Sequence, residues 1–207
     1  MTGRFPAVEQ TAAELVRRVL DHPATLGAGR LLCVDGPAGS GKTTLAAALD
    51  RGLRDALPSP GAPAGRPRVR TVHMDDLYPG WSGLEAGMRT LASSVVAPLR
   101  DGRPGRYRRW DWHRDGFAEE RVVDPVDVLV VEGVGSGCAA VADAVTCLVW
   151  VSAPGDVRRE RGTARDGEGV REHWAAWQRR EAVVLARERT RERADVRVDG
   201  GTGLVLS

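Results

Sequence analysis

Residues 30–44 read RLLCVDGPAGSGKTT, and this stretch decides the fold. The apolar run from Arg30 to Asp35 predicts a buried β-strand. Residues 36–43, GPAGSGKT, match the pattern G-x-x-x-x-G-K-[ST], and the following TLAAAL predicts a helix. A strand, a glycine-rich loop and a helix in this order are typical of a phosphate-binding loop.

The chemistry of this loop follows from its residue types. Glycines allow the main chain to wrap closely, so that successive N–H groups point at one phosphate, and the helix that follows adds the positive end of its dipole. We expect Lys42 to reach the β- and γ-phosphates of a nucleotide and the Thr43 hydroxyl to ligate Mg²⁺. The residues predicted to bind the nucleotide are Gly36, Ala38, Gly39, Ser40, Gly41, Lys42, Thr43 and Thr44. The alternative is a glycine-rich turn that carries an incidental lysine.

The lysine content of the chain bears on that alternative. Of the 30 residues that are lysine or arginine, Lys42 is the single lysine. Arginine is therefore used wherever a positive charge alone will serve. Retention of one lysine at this position indicates a need for a compact ammonium group, which a planar guanidinium cannot replace.

Acidic residues follow two further predicted strands. Asp75 and Asp76 come after VRTVHM, and Glu132 comes after DVLVV. Phosphoryl transfer to a hydroxyl needs a metal ion to neutralise charge and a base to position the acceptor, and such groups lie at the carboxyl ends of strands beside the loop strand. We expect Asp75 to be the general base, with Asp76 as its rival, and Glu132 to belong to the Mg²⁺ shell, directly or through water. The alternative for each is a helix cap or a loop residue.

Alternation of strands and helices predicts one α/β domain over residues 1–207, with a doubly wound, mostly parallel sheet of about five strands. The predicted strands are 30–35, 69–74, 127–132, 145–151 and 195–198. The predicted helices are 9–21, 42–56, 83–100, 154–165 and 168–193. The proline- and glycine-rich stretch 57–67 predicts a surface loop.

Composition excludes several classes of function. The net charge of +2 gives no reason to expect a nucleic-acid or membrane partner. No apolar run approaches the roughly 18 residues of a membrane span. Three cysteines among apolar neighbours favour reduced thiols over a disulfide framework. We therefore expect a cytoplasmic protein.

Five segments together carry a resemblance to a known family. GPAGSGKTT, DDLY, WDWH, VLVVEG and an arginine-bearing helix resemble, over about residues 30–166, the uridine kinase family of P-loop kinases, which is related to phosphoribulokinase and bacterial pantothenate kinase. The resemblance implies the nucleoside-kinase strand order 2-3-1-4-5, the role of a metal-linked catalytic base for Asp75 in D-D-L-Y, and a metal role for Glu132 in E-G. It also implies an arginine-bearing lid around residues 155–170.

The resemblance assigns further residues to the two substrates. The resemblance, together with closeness in sequence to its motifs, suggests residues that contact the phosphoryl acceptor. These are Asp76, Tyr78, Trp81, Trp110, Trp112 and His113. Lid arginines fall on Arg158, which would bind ATP, and on Arg161 and Arg165, which would act in catalysis, followed by Asp166. Positions 158, 161 and 165 share one helical face by spacing, so that the three groups can close over ATP together. The alternatives are a solvated basic face for the arginines and core packing for Trp110 and Trp112. Trp174 and Trp177 lie on a helical stripe that predicts packing. His173 is expected to face solvent without a partner, and His73, one residue from a strand end, is expected to be structural rather than catalytic.

The sequence thus predicts an ATP- and Mg²⁺-dependent transfer of the γ-phosphoryl group to a hydroxyl of a small molecule, with a uridine- or cytidine-like nucleoside as the first choice. The aspartate-rich stretch of the uridine kinases is replaced here by PGWSGLEAGMRT, so pantothenate or a sugar phosphate stays open as acceptor. A nucleotide switch or regulatory ATPase is the alternative class. An N-K-x-D guanine motif needs a second lysine, which disfavours a standard GTPase, and the near-neutral charge disfavours a nucleic-acid kinase or motor. The oligomeric state and the preference between ATP and GTP stay open.

Overall fold

The computed structural model describes residues 6–57, 68–167, 169 and 171–206. Most of the predicted surface loop, 58–67, lies outside the described residues, as do Val170 and the side chain of Asp166. Within the described ranges, no helix is long and apolar enough to cross a membrane.

Eight strands and seven α-helices make up the described chain. The strands are β1 (Arg30–Asp35), β2 (Val69–His73), β3 (Gly105–Asp111), β4 (Gly116–Val123), β5 (Val128–Glu132), β6 (Cys147–Ser152), β7 (Val196–Asp199) and β8 (Val205–Leu206). The helices are α1 (Pro6–Asp21), α2 (Lys42–Ala56), α3 (Leu84–Thr90), α4 (Ala97–Arg100), α5 (Gly155–Asp166), α6 (Arg171–Glu188) and α7 (Thr190–Arg193). A π-helical segment (Leu91–Val96) joins α3 to α4, and 3₁₀ segments cover Met74–Asp76 and Ala139–Ala144.

The central sheet has the order β2-β5-β1-β6-β7-β8. Its first five strands are parallel, and β8 pairs antiparallel with β7 at the edge. The predicted mostly parallel α/β sheet is confirmed. It differs in detail from the prediction, because the five parallel strands stand in the expected order 2-3-1-4-5 but β8 adds a sixth.

Alternate residues of the strands feed two hydrophobic cores. In β1, Leu32 and Val34 face the core under α1 and α2, whereas Leu31 and Cys33 face the core under α3 and α6. A strand that is covered on both faces needs apolar residues at every position, because its side chains point alternately to the two faces. The unbroken apolar run in the sequence therefore marks the centre of the sheet.

Two predicted helices are interrupted. The predicted helix 83–100 is divided into α3, the π-helical segment and α4, and the predicted helix 168–193 breaks at Arg189, whose left-handed φ of 51° separates α6 from α7. The sequence analysis did not predict β4, which pairs antiparallel with β3 in a separate two-stranded sheet. Most β4 side chains are exposed, so the strand lacks the apolar alternation that reveals half-buried strands.

Candidate active site

The glycine-rich loop between β1 and α2 is shaped by close main-chain contacts. Gly39 has a φ of 77°, and a Cβ atom at this position would lie 2.5 Å from the main-chain oxygen of Arg158 in α5. Gly41 has a φ of 100° and packs in the same way against Gly200, which follows β7. Both positions need glycine, since L-residues disfavour this conformation and no space exists for a side chain.

The loop ends at the N-terminus of α2, which is open to an anion. Gly41 is the N-cap residue and has no side chain to bond to the first N–H groups, and the first turn contains no acidic residue. Thr43 and Thr44 are exposed there, while Ser40 is fully buried. The unpaired N–H groups of a helix start, together with its dipole, suit a phosphate group.

Lys42 lies across this loop, as its predicted role requires. Its side chain is buried, and Nζ donates a hydrogen bond of 2.9 Å to the Pro37 main-chain oxygen. Burial lowers the pKa of the Lys42 amine, and nearby carboxylates oppose the effect. These carboxylates, in order of their influence, belong to Glu132, Asp35, Glu181 and Asp75. An ammonium group amid four acids is held near the position that a triphosphate would occupy.

Glu132 ends β5 between the two neighbouring strands β1 and β2, and its carboxylate is buried. Thr43 Oγ1 donates to Glu132 Oε2 over 3.3 Å, and His73 Nδ1 lies 2.7 Å from Glu132 Oε1. The predicted pair of Thr43 and Glu132 is thus brought together. His73, interpreted from sequence as structural, orients this carboxylate.

The donor set fits Mg²⁺ in the way that phosphate-transfer sites do. Among the described residues, no group of three or more His, Cys, Asp or Glu side chains is arranged to hold a metal ion. Mg²⁺ bound with a nucleotide needs no such cage, because it takes one or two protein oxygens, phosphate oxygens and water. A hydroxyl and a carboxylate 3.3 Å apart at the loop can supply those protein oxygens.

Asp75 and Asp76 are adjacent in the 3₁₀ segment after β2 but have different electrostatic surroundings. The Asp75 side chain is reached by water, yet the protein packed around it raises the pKa of its carboxyl through desolvation, and the negative charge of Glu132 raises it further. The charges of Arg165, Lys42 and His73 act in the opposite direction. Asp75 therefore belongs to the phosphate side of the site.

Asp76 instead belongs to the side of the β3–β4 hairpin. Desolvation raises the pKa of its carboxyl, and the charges of His73, Arg109 and Arg121 lower it. Tyr107 in β3 donates a hydrogen bond of 3.5 Å to Asp76 Oδ2. The surroundings of the two acids favour Asp75 for work on phosphate and Asp76 for contact with the acceptor, as the sequence analysis predicts.

The three arginines of α5 that were predicted to act at the site, Arg158, Arg161 and Arg165, divide into two groups. Arg158 Nη1 donates to the main-chain oxygen of Ala38 over 3.3 Å, and Arg161 Nη1 donates to that of Gly39 over 3.3 Å. Both therefore hold carbonyl groups of the loop, whereas Arg165, farther along the helix, is close enough to Asp75 to lower its pKa. Arg158 is largely buried, so the alternative of an ordinary solvated basic face does not apply to it.

Aromatic rings line the acceptor side. Trp112, in the turn between β3 and β4, donates from Nε1 to the main-chain oxygen of Asp75 over 2.9 Å and is 37% exposed. Its ring meets the edge of Trp81 at a centroid distance of 5.3 Å, and the His173 ring of α6 stacks on Trp81 at 5.5 Å. Trp81, Trp112 and His173, hereafter the ring cluster, present aromatic surface beside the candidate base.

Several sequence predictions need correction at this point. Tyr78 cannot contact an acceptor, because it is fully buried and donates its hydroxyl to the Val134 oxygen over 2.6 Å. His173 is exposed, as expected, but it does have a partner, because its ring stacks on Trp81 in the ring cluster. Trp110 is half-buried and packs against Phe117 at a centroid distance of 5.0 Å, and His113 is exposed in the hairpin turn. The packing role predicted for Trp174 and Trp177 is confirmed by their burial.

Two buried acids of the site were missed by sequence reasoning. Asp35, at the end of β1, accepts hydrogen bonds from the N–H groups of Gly36, Gly135 and Gly137 over 2.6 to 2.9 Å. Glu181, in α6, accepts one from the N–H of Ala38 over 2.8 Å. An acid before the loop glycine was a usable signal for Asp35, whereas Glu181 lies 143 residues from its partner and gives none.

Comparison with solved structures agrees with this architecture. The "possible uridine kinase" from Bacillus stearothermophilus is 23% identical, with a TM-score of 0.63 over 91% of this chain and 97% of that chain. The "putative fructose transport system kinase" from Silicibacter sp. TM1040 is 20% identical, with a TM-score of 0.53 over 88% of this chain and 94% of that chain. No protein-family model matches the chain, and no curated protein matches it. At these identities the likeness concerns the fold, and the chain has the P-loop kinase fold.

Proposed function

We propose that the protein is an ATP-dependent small-molecule kinase that transfers the γ-phosphoryl group to a hydroxyl of a nucleoside-like acceptor. The observation that carries the proposal is the position of Asp75, whose carboxyl interacts with the charges of Lys42, Glu132 and Arg165 and whose main-chain oxygen binds Trp112 of the hairpin. A base located between phosphate-binding cations and an aromatic wall suits the transfer of phosphoryl to an alcohol.

Each part of the site has a task in this reaction. The loop amides and Lys42 bind the β- and γ-phosphates and stabilise the charge that spreads over the transferring group. Asp75 orients the acceptor hydroxyl and accepts its proton as the bond to phosphorus forms. Thr43 and Glu132 would hold Mg²⁺, which supplies charge neutralisation at the phosphates. Arg165 stabilises the same charge from the side of α5.

The ring cluster supports a planar acceptor. Trp81, Trp112 and His173 offer partly exposed ring surface close to Asp75, and aromatic surfaces favour stacking with a flat ring such as a nucleobase. Asp76 and Tyr107 add polar groups beside them. This arrangement favours a uridine- or cytidine-like nucleoside over pantothenate or a sugar phosphate.

We also propose that the protein works in the cytoplasm with its cysteines reduced. All three, Cys33, Cys138 and Cys147, are free and buried. This supports the absence of a disulfide framework.

An acceptor screen tests the proposal. ADP release from Mg-ATP is measured by a coupled assay with nucleosides, pantothenate, sugar phosphates, RNA and no acceptor, and Lys42→Ala protein serves as the control for contaminating kinases. We expect strong stimulation by a pyrimidine nucleoside and none by RNA. Tight nucleotide binding with slow turnover that no acceptor accelerates would identify a switch or regulatory ATPase instead.

A further inference from the structure

Glu181 is a buried carboxylate that contacts the phosphate-binding loop. It lies in α6, and its side chain is 2% exposed. Its two oxygens accept three hydrogen bonds, from the Ala38 N–H over 2.8 Å, from Arg158 Nη1 over 3.0 Å and from Trp177 Nε1 over 3.2 Å.

The ionised form is the one that satisfies all three donors. A buried charge is costly unless it is paired and fully hydrogen-bonded, and Glu181 meets both conditions. A glutamine in its place would turn an NH₂ group toward one of three N–H donors, because the amide has a single acceptor oxygen. The contacts therefore require a carboxylate and not merely a polar side chain of this size.

The peptide groups next to Ala38 are held from outside the loop. The Ala38 N–H donates a hydrogen bond to Glu181, and the Ala38 carbonyl oxygen accepts a hydrogen bond from Arg158 over 3.3 Å. Arg158 and Glu181 are themselves an ion pair, so one bridge links α5 and α6 to this residue. Ala38 directly precedes Gly39, where the loop turns toward the phosphate site, so its orientation sets the direction of the following amides.

The same helices reach the other parts of the site. α5 carries Arg165, whose charge acts on Asp75, and α6 carries His173, which stacks on Trp81. Trp177, which donates to Glu181, meets Trp81 at a centroid distance of 6.2 Å. Glu181 thus connects the phosphate-binding loop with α5 and, through Trp177, with the ring cluster.

We propose that Glu181 is a positioning residue for phosphoryl transfer, which fixes the Ala38 peptide and, through Arg158, sets the loop and α5 in register with each other. This inference rests on the proposed kinase function for its kinetic part. Its structural part, the order of the loop, is independent of the acceptor.

The charge of Glu181 and its hydrogen-bonded bridge predict different effects of Glu181→Gln, the first on nucleotide binding and the second on the rate of transfer. Loss of the negative charge leaves Arg158 uncompensated next to the loop, which favours binding of a polyanion. Loss of the bridge misplaces the loop, and small displacements of reacting groups reduce the rate strongly. We expect kcat to fall by about 10-fold or more while the Kd for Mg-ATP changes by less than about 3-fold.

Glu188→Gln is the matched control. Glu188 belongs to the same helix and accepts a main-chain hydrogen bond from Ala139 over 2.9 Å, away from the phosphate-binding loop. Arg158→Met removes the bridge from its other end and serves if Glu181→Gln does not fold. The double variant Arg158→Met/Glu181→Gln restores the original net charge without the bridge.

Hydrogen–deuterium exchange provides a readout that needs no acceptor. In the free protein, we expect Glu181→Gln to accelerate exchange in the peptide that covers residues 36–44, and Glu188→Gln to leave that peptide unchanged. Unchanged exchange in Glu181→Gln overturns the inference even if the protein is an active kinase. Faster exchange without any acceptor-dependent activity supports the inference on the loop and counts against the proposed function alone.

The kinetics of the double variant distinguish the loss of the Arg158–Glu181 bridge from the loss of the Glu181 charge. We expect kcat of the double variant to stay as low as that of Glu181→Gln, because both changes remove the same bridge. Recovery of the wild-type kcat would assign the effect to charge and overturn the positioning role. A wild-type kcat in Glu181→Gln itself would also overturn it.

Discussion

The nucleotide side and the acceptor side of the proposed site differ in the groups that form them and in how deeply those groups are buried. On the nucleotide side that we propose, main-chain groups of the glycine-rich loop would do most of the binding, and Asp35, Lys42, Glu132 and Glu181 are all buried. On the acceptor side, side chains dominate; Trp112 and His173 are exposed, whereas Trp81 and Asp76 are half-buried. Because a phosphate is the same in every kinase, a fixed backbone cradle can serve all acceptors, whereas exposed side chains can be replaced without disturbing the core.

Asp75 is the point where the two sides meet. Its carboxyl interacts with the charges of the nucleotide side, and its main-chain oxygen accepts the Trp112 hydrogen bond from the acceptor side. The comparison therefore predicts three kinds of substitution. The first impairs both Mg-ATP binding and phosphoryl transfer, the second impairs transfer alone, and the third alters the use of the acceptor alone.

The largest effect is expected at Lys42. Lys42→Ala removes the buried ammonium of the loop, and we expect turnover to fall by about 10³-fold together with weaker Mg-ATP binding. Lys42→Arg should be similarly impaired, because the Lys42 side chain is buried and a planar guanidinium cannot take the position of its compact ammonium. Steady-state kinetics and calorimetric titration with Mg-ATP measure the two effects, and near-normal turnover of Lys42→Arg would contradict the argument.

Asp75→Asn should separate binding from transfer. Loss of the base lowers turnover by about 10², while the Kd for Mg-ATP should stay within about 3-fold because the loop is intact. Asp76→Asn is the matched comparison, and we expect it to raise the acceptor KM instead. If Asp76→Asn abolishes turnover and Asp75→Asn does not, the base has been assigned one residue too early.

Trp112→Ala should affect the acceptor side alone. Loss of the ring surface should raise the acceptor KM by up to about 10-fold, the usual scale of one aromatic contact, with the KM for ATP unchanged. Phe117→Ala is the control, since Phe117 is an exposed ring of the same hairpin that packs on Trp110. An equal rise in both acceptor KM values would show that the hairpin as a whole matters and not the ring cluster.

The smallest effect is expected at the three buried cysteines. Burial raises the pKa of Cys138 to about 11 and that of Cys147 to about 12, and it also raises the pKa of Cys33. Below these values the reactive thiolate is scarce, so at pH 8 the native protein should resist iodoacetamide. Mass spectrometry after alkylation tests this, with unfolded protein as the positive control, and rapid labelling of native Cys138 would show that the core opens.

The sequence predicted the nucleotide side better than the acceptor side for a physical reason. A phosphate-binding loop depends on consecutive residues, so the strand, the glycines, Lys42 and Thr43 are visible as one pattern. The residues of the acceptor side come from separate segments of the chain. Tertiary packing sets the directions of their side chains, and no local sequence pattern reveals that packing. Tyr78 was accordingly placed at the acceptor but is buried against Trp177, and His173, which is exposed as expected, was given no partner but stacks on Trp81.

The sequence by itself determined the α/β class, the phosphate-binding loop and the acids at the ends of β2 and β5, because periodicity and short-range spacing encode all three. Only the tertiary structure decided that Asp75 and Asp76 have different charged neighbours, that Arg158 and Arg161 hold the loop while Arg165 lowers the pKa of Asp75, and that Glu181 supports Ala38. Such contacts join residues far apart in the chain. They exist only once the sheet order and the packing of α5 and α6 have brought those residues together.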